Sequence, residues 1–400
     1  MRSGKNRKLI ALIVLMLLLI AAGVFVLGRQ FSRPAAQPEV TTEENGGEAE
    51  EIAEPLDILL FASDYQYMYS WDDPAVTLRS IIGAVKKDGK IPTNVIYCGD
   101  YTNDRKLHDY QLSPDESIEE IRSIVAEELP GVDQDDMIFE QGNHDRMTAS
   151  LSESGLHEYD NYLIYVLNTE NDFPWKQGRS TEFRDRVIRA SGEMKACFDE
   201  LIAKGETRPV FIAGHVPIHF TARTTSRHNT GDNMYAEYIF DVVNEAGNSL
   251  DIVYMFGHNH SKGWDCYLGG SSVFKSPGDT ILIPDAGNNT VNTDNYSVET
   301  LSFTYMNAGY TGYYMNCGPE ELDNGTYGNY KAADDTLTAT VVEIMPDELI
   351  ITRYSAEGIH PLGWQGEADP YKGYIDAGLI GEEYYSKQVT GPVRIERKHN

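Results

Sequence analysis

Five short motifs in this chain offer carboxylate and amide oxygens and imidazole nitrogens in the combination that borderline divalent cations take. They are Asp64-Tyr65-Gln66, Gly99-Asp100, Gly142-Asn143-His144-Asp145, Gly214-His215 and Gly257-His258-Asn259-His260. Each ends an apolar run that reads as a buried strand. Together they read as one two-metal site, and two such cations held close together are a general device for breaking a phosphate ester with water. Read singly the motifs differ in weight. Gly99-Asp100 and Asp64 have the composition of ordinary turns, and His215 alone fits a packed or surface histidine. Gly142-Asn143-His144-Asp145 is more specific: the Asn oxygen can bind a cation, and His144 can donate a proton with Asp145 orienting its ring. In an extended segment the spacing of His258 and His260 points both rings to one side.

The elements that must position these residues follow from periodicity. Residues 57–61, 94–98, 137–139, 162–167, 210–212 and 252–256 read as strands. Residues 74–87, 115–129, 182–203 and 234–244 read as helices, the first with Asp73 as cap and Pro74 in its opening position. Alternation of this kind implies a largely parallel sheet covered on both faces, with ligands bound where loops leave the carboxyl ends of the strands. All five motifs are then expected at one edge of one sheet. Beyond His260 the composition turns to Gly, Asn, Tyr and Thr. Residues 337–344 and 348–354 read as a hairpin of a mostly antiparallel second sheet in the same domain. Residues 357–400 have no readable periodicity.

The motif order resembles the calcineurin-like metallophosphoesterase family, whose pattern is D-x-H, G-D, G-N-H-[DE], a lone G-H and G-H-x-H. Four of the five blocks are intact, and the resemblance covers residues 58–354. It implies an α/β fold, a four-layer α/β/β/α sandwich, over a domain at 56–356. It also implies two divalent metal ions (Mn, Fe, Zn or similar). Asp64, Gln66, Asp100 and His260 would hold one ion. Asp100, Asn143, His215 and His258 would hold the other, with Asp100 shared. Water activated on that centre would attack phosphorus directly, so no covalent phosphoenzyme is expected, and His144 with Asp145 would assist catalysis. The departure is Gln66, where the family pattern has His. A Gln oxygen binds more weakly than imidazole and as a harder ligand, so the first ion should be weaker or prefer oxygen, as Mn²⁺ does.

Arg223 and Arg227 lie in a basic stretch with His219 and His228 and are candidates for substrate contact, since arginine can grip phosphate through two nitrogens. The competing reading, an ordinary exposed loop, is the simpler one. The Tyr-rich stretch 296–330 could roof the pocket or simply pack. No G-x-S-x-G elbow, P-loop or dinucleotide fingerprint is present.

With 400 residues the chain has room for one large domain or two. Its 33 Lys+Arg against 62 Asp+Glu give a net charge of −29, which argues against binding a nucleic-acid backbone. A phosphorylated small molecule or envelope substrate remains compatible, because a metal pair supplies local positive charge. Residues 1–8 are basic and residues 9–28 carry no charge. That is the pattern of a single-pass anchor with a cytoplasmic N-terminus and an extracytoplasmic domain. The apolar run continues through Val24-Phe25-Val26-Leu27, which favours an uncleaved anchor over a secreted chain cut near Ala21-Ala22-Gly23. Residues 29–55 are acidic and poor in bulky apolar side chains, a solvated tether. Four cysteines (Cys98, Cys197, Cys266, Cys317) allow three complete pairings, and Cys98 reads as a buried free thiol. The competing function class is a non-catalytic binding or envelope-scaffold module that keeps the fold; only Gln66 favours it.

Overall fold

The first strand, β1 (Asp57–Ala62), lies between two neighbours of opposite sense. It runs parallel to β2 (Asn94–Cys98) and antiparallel to β12 (Thr338–Ile344). These belong to a computed structural model that describes residues 54–66, 74–102, 112–168, 181–218, 235–258, 273–284, 296–312, 337–362 and 389–398.

Seven strands form the first sheet. β3 (Ile138–Glu140) adds to β2 in parallel, and β13 (Glu348–Ser355) adds to β12 as a hairpin. Both β14 (Gly358–His360) and β15 (Val393–Glu396) pair antiparallel with β13. The second sheet has six strands in the order β4 (Gly155–Glu158), β5 (Leu163–Leu167), β6 (Val210–Gly214), β7 (Ile252–Phe256), β11 (Thr304–Asn307), β8 (Phe274–Lys275). Its centre, β5–β6–β7–β11, is parallel. A separate two-stranded ribbon pairs β9 (Thr280–Pro284) with β10 (Tyr296–Thr300).

The apolar residues of these strands sort into three cores. Leu59, Phe61, Ile96 and Cys98 of the first sheet meet Ile164, Val166, Phe211, Ala213 and Met255 of the second. The rings of Phe61 and Phe211 are 5.3 Å apart between centroids. The alternate residues face outward. Leu60, Ala62, Val95 and Tyr97 pack on helices α1 (Pro74–Lys87) and α2 (Pro114–Glu128). Tyr165, Ile212 and Tyr254 pack on α3 (Thr181–Lys204) and α4 (Ala236–Ala246). The layers therefore run helix, sheet, sheet, helix, and every central strand is apolar on both faces because both faces are covered.

Local sequence explains the helices. Pro74 opens α1, and Leu78, Ile81, Ile82 and Val85 recur at helical spacing on its buried side. Ser113 and Glu116 cap α2 reciprocally: the Ser113 hydroxyl accepts from the Glu116 N–H, and the Glu116 carboxylate accepts from the Ser113 N–H.

Two expectations change. The parallel strands do not form one sheet: β1–β3 and β5–β7 lie in different sheets. The late hairpin β12–β13 joins the first sheet beside β1 instead of building a second one. A five-residue strand buried on both faces carries no period that names its neighbour, so sheet membership is set by the inter-sheet core.

Residues 357–400, unreadable by periodicity, supply β14 and β15. After β15 the main-chain N–H of Arg397 donates to Asp347 O at 2.8 Å, and that of Lys398 donates to Asp251 Oδ1 at 2.9 Å. This tail thus joins the β12–β13 turn to the loop before β7. Residues 1–53, including the expected anchor, lie outside the described residues, as do Cys266 and Cys317. Among the described residues no helix is long and apolar enough to cross a membrane. Cys98 is a buried free thiol and Cys197 is also free.

Candidate metal centre

The loops leaving β1, β2, β3, β6 and β7 converge at one rim of the sandwich, drawn from both sheets. Asp64 and Gln66 follow β1, Asp100 follows β2, Asn143, His144 and Asp145 follow β3, His215 follows β6, and His258 follows β7. Of these eight, all but the half-buried His144 are buried.

The backbone turns sharply after β1, β2 and β7. Asp64, Asp100 and His258 have φ of 52°, 60° and 67°, in the left-handed region. Asp and His tolerate that region better than most side chains, yet at a cost of about 1–3 kcal/mol each, so contacts must hold them there. The preceding Gly99 also has positive φ, and a Cβ on it would lie 2.5 Å from Gly142 Cα and 2.7 Å from His215 Nδ1. A glycine is required there both by conformation and by the approach of two other loops.

Main-chain and side-chain hydrogen bonds stitch the loops into a ring. The Asp64 N–H donates to Gly99 O at 2.9 Å. The His258 N–H donates to Asp64 Oδ2 at 3.0 Å, and the Gly257 N–H donates to His215 O at 3.0 Å. The His144 N–H donates to Asp100 Oδ1 at 2.8 Å.

There the donor atoms gather. Asp100, His215 and His258 each bring one ligand atom into a group whose members lie within 4.8 Å of one another. His215 Nε2 is 3.2 Å from Asp100 Oδ2 and 2.9 Å from Asn143 Oδ1. His258 Nδ1 is 2.7 Å from the same Asn143 oxygen. The other nitrogen of His215, Nδ1, faces Cys98 O at 2.8 Å. An Nδ1–H donating to that carbonyl fixes the neutral tautomer and leaves Nε2 a lone pair, aimed at two more acceptors. Gln66 completes the set: its amide nitrogen donates to Asp100 Oδ2 at 2.7 Å, while its buried Oε1 has no hydrogen-bond partner. Converging acceptors and an orphaned buried oxygen fit a divalent cation.

The electrostatics agree. Burial alone would raise the Asp100 pKa, but the charges of His215 and His144 outweigh it and hold the carboxyl well below the ordinary range. Burial would lower His215, but Asp100 raises it well above a normal histidine, so without a cation the ring would carry the positive charge itself. For Asp145, burial and then the Asp100 charge push the carboxyl up to about 7, against the N–H groups of Gly142 and Tyr101. A cation on Asp100 would remove the second of these pressures.

The structure brings together Asp64, Gln66, Asp100, Asn143, Asp145, His215 and His258. His260, Arg223 and Arg227 lie outside the described residues, as do His219, His228 and most of 296–330. One difference concerns Asp145. The sequence reading sets it against the His144 ring, whereas both its oxygens accept main-chain N–H groups. Two contributors escaped the motif reading. The Ser63 hydroxyl sits 2.5 Å from Asp64 Oδ2 and 2.5 Å from Gly309 O. The segment after β11 also braces the β1 loop, where Thr311 N–H donates to Ser63 O at 3.1 Å and Gly312 N–H to Asp64 O at 2.9 Å. Ser63 was findable as the neighbour of Asp64, but nothing local marks residues 309–312.

No protein-family model matches the chain, and no curated protein does. Among solved structures, a dimetal phosphatase from Danio rerio aligns over 76% of this chain and 98% of that one, at 11% identity and a TM-score of 0.42. At that identity and score the likeness carries no argument about what this chain does.

Proposed function

We propose that this chain is a metal-dependent phosphoric ester hydrolase of the calcineurin-like metallophosphoesterase type, acting on a phosphate mono- or diester. The observation that carries the reading is the convergence of His215 Nε2, Asn143 Oδ1 and Asp100 Oδ2 on one another beside the orphaned Gln66 Oε1. In this reading Asp100, Asn143, His215 and His258 would hold one divalent ion, and Asp64, Gln66, Asp100 and His260 would hold the other. When bound, the ions polarise the phosphoryl group and activate water for direct attack.

The protein's own residues do the remaining work. Cys98 O fixes the His215 tautomer, so the ring offers nitrogen and not a proton to the centre. The Gln66 amide holds Asp100 Oδ2, leaving the Gln oxygen as a hard ligand for the first ion. Burial of the side chains at this rim strengthens each charge interaction among them. His144, the one half-buried member, is assigned proton donation to the leaving oxygen, and Arg223 and Arg227 are assigned substrate contact. The uncharged stretch 9–28 behind a basic terminus supports a membrane-anchored enzyme with its site outside the cytoplasm, acting on a phosphorylated small molecule or an envelope phosphoester.

Metal analysis of the purified full-length protein, joined to hydrolysis of aryl phosphate mono- and diesters, tests the reading. Wild type should bind divalent metal and turn over at least one substrate. Asp100→Asn should lose turnover with its fold intact. Equal activity in the two proteins would end the catalytic reading.

A further inference from the structure

Asp145 is buried at the rim, directly after a residue assigned to catalysis, but its contacts run elsewhere. Oδ2 accepts the Asp100 N–H at 2.8 Å and the Gly142 N–H at 2.9 Å. Oδ1 accepts the Tyr101 N–H at 2.9 Å and the Thr102 N–H at 3.3 Å. A carboxylate offers about four lone-pair sites, and main-chain donors use all of them. Three of the four donors are consecutive residues of the β2 loop. The contact is reciprocal, because the His144 N–H donates back to Asp100 Oδ1 at 2.8 Å.

We propose that Asp145 is a positioning residue for Asp100: its carboxylate gathers the N–H groups of residues 100–102 and locks the β2 loop in the one conformation that aims Asp100 into the metal centre. The physical need is plain. Gly99 and Asp100 both have positive φ, 76° and 60°, and the second is a conformation that a non-glycine residue leaves when released. Relaxation of Asp100 toward an extended conformation would swing its carboxylate off the ring of ligands. The loops already touch so closely that a Cβ at Gly142 would lie 2.1 Å from the Asp100 nitrogen. A side chain long enough to reach across is therefore unnecessary, and a short Asp three residues on is sufficient. Three main-chain N–H groups gathered by one carboxyl together offset the cost of holding one non-glycine residue in the left-handed region.

The proposal rests on Asp100 being a metal ligand, so its test separates the two ideas. Cobalt(II) affinity is titrated, with its visible absorption as the signal, in full-length wild type, Asp145→Asn, His144→Ala and the double variant. Amide hydrogen exchange is measured in the metal-free proteins. In Asp145→Asn one acceptor oxygen becomes an NH₂ facing N–H groups. Cobalt affinity should fall roughly 10- to 100-fold, as for other outer-shell partners, and by the same factor whether or not His144 is present. His144→Ala alone should change cobalt affinity less than Asp145→Asn does, because the main-chain N–H that meets Asp100 is kept. Protection of the Tyr101 and Thr102 amides should fall in Asp145→Asn. If affinity is unchanged, or the loss vanishes in the His144→Ala background, Asp145 acts on the imidazole and the positioning role is overturned. Wild-type amide protection in Asp145→Asn overturns it as well. If wild type binds no cobalt, the metal reading fails, and amide exchange alone still decides what Asp145 does. Should Asp145→Asn not fold, Asp145→Ser, which leaves room for a bridging water, takes its place in both measurements.

Discussion

His215 meets Asn143 through its Nε2, 2.9 Å from the carboxamide oxygen, while its Nδ1 is committed to the carbonyl of Cys98 at 2.8 Å. The pair links β6 of one sheet to the loop after β3 of the other. A neutral ring so held confronts oxygen with a lone pair. Such contacts are repulsive unless the ring takes a second proton or a cation lies between them. Cation removal therefore has a defined consequence. Chelator treatment should shift the His215 imidazole resonances to those of a doubly protonated ring at neutral pH, and re-addition of diamagnetic Zn²⁺ should reverse the shift. A ring that stays neutral without metal would contradict this.

Gln66 should set the metal preference of the first ion. Its free Oε1 is a harder and weaker ligand than imidazole. Gln66→His is expected to tighten that ion and shift preference toward Zn²⁺, read by competitive metal titration. Unchanged affinity would reject the idea.

Ser63 steadies Asp64. Its single hydroxyl proton can serve Asp64 Oδ2 or Gly309 O, and both lie 2.5 Å away. Ser63→Ala should cost about 1–3 kcal/mol of stability by removing a hydroxyl donor from the buried site, and should weaken metal binding. Thermal melting with and without metal separates the two effects. Ser63→Thr keeps the hydroxyl, and it should restore metal binding more fully than stability.

Two glycines should respond in opposite directions. A Cβ at Gly142 would sit 2.2 Å from Asp100 Oδ1, whereas Gly83, exposed within α1, has nothing within 4 Å. Gly142→Ala should cost at least about 1–3 kcal/mol and abolish metal binding, because the neighbour that must move is Asp100, the proposed shared ligand. Gly83→Ala should gain up to about 1 kcal/mol by removing helix-interior flexibility. Chemical denaturation of both variants checks the contrast.

Acid stability should depend on Glu206. Hydrogen bonding to Arg208 first, opposed by burial, lowers its carboxyl to about 2. Its two oxygens lie 2.9 Å from Arg208 Nε and 2.7 Å from Nη2. A folded-state pKa below the unfolded one gives stability that is present above the ordinary carboxylate range. That stability is lost as pH falls from about 4.5 toward 2. Glu206→Gln should be less stable than wild type at neutral pH and flatten the acid limb within that window. Parallel stability–pH curves for the two proteins would count against the assignment.

Sequence alone settled the local matters. The strand before each motif, the helix starting at Pro74 and the buried thiol of Cys98 were all legible, because each depends on residues adjacent in the chain. Tertiary structure alone decided the division into two sheets, the place of β12 beside β1, and the bracing of Ser63 by Gly309, 246 residues away. It also decided that Asp145 faces the main chain of residues 100–102. The reason is physical: a short strand buried on both faces looks the same in sequence whichever sheet it joins. A carboxylate in a motif likewise records its own capacity for hydrogen bonds but not which donors folding brings to it.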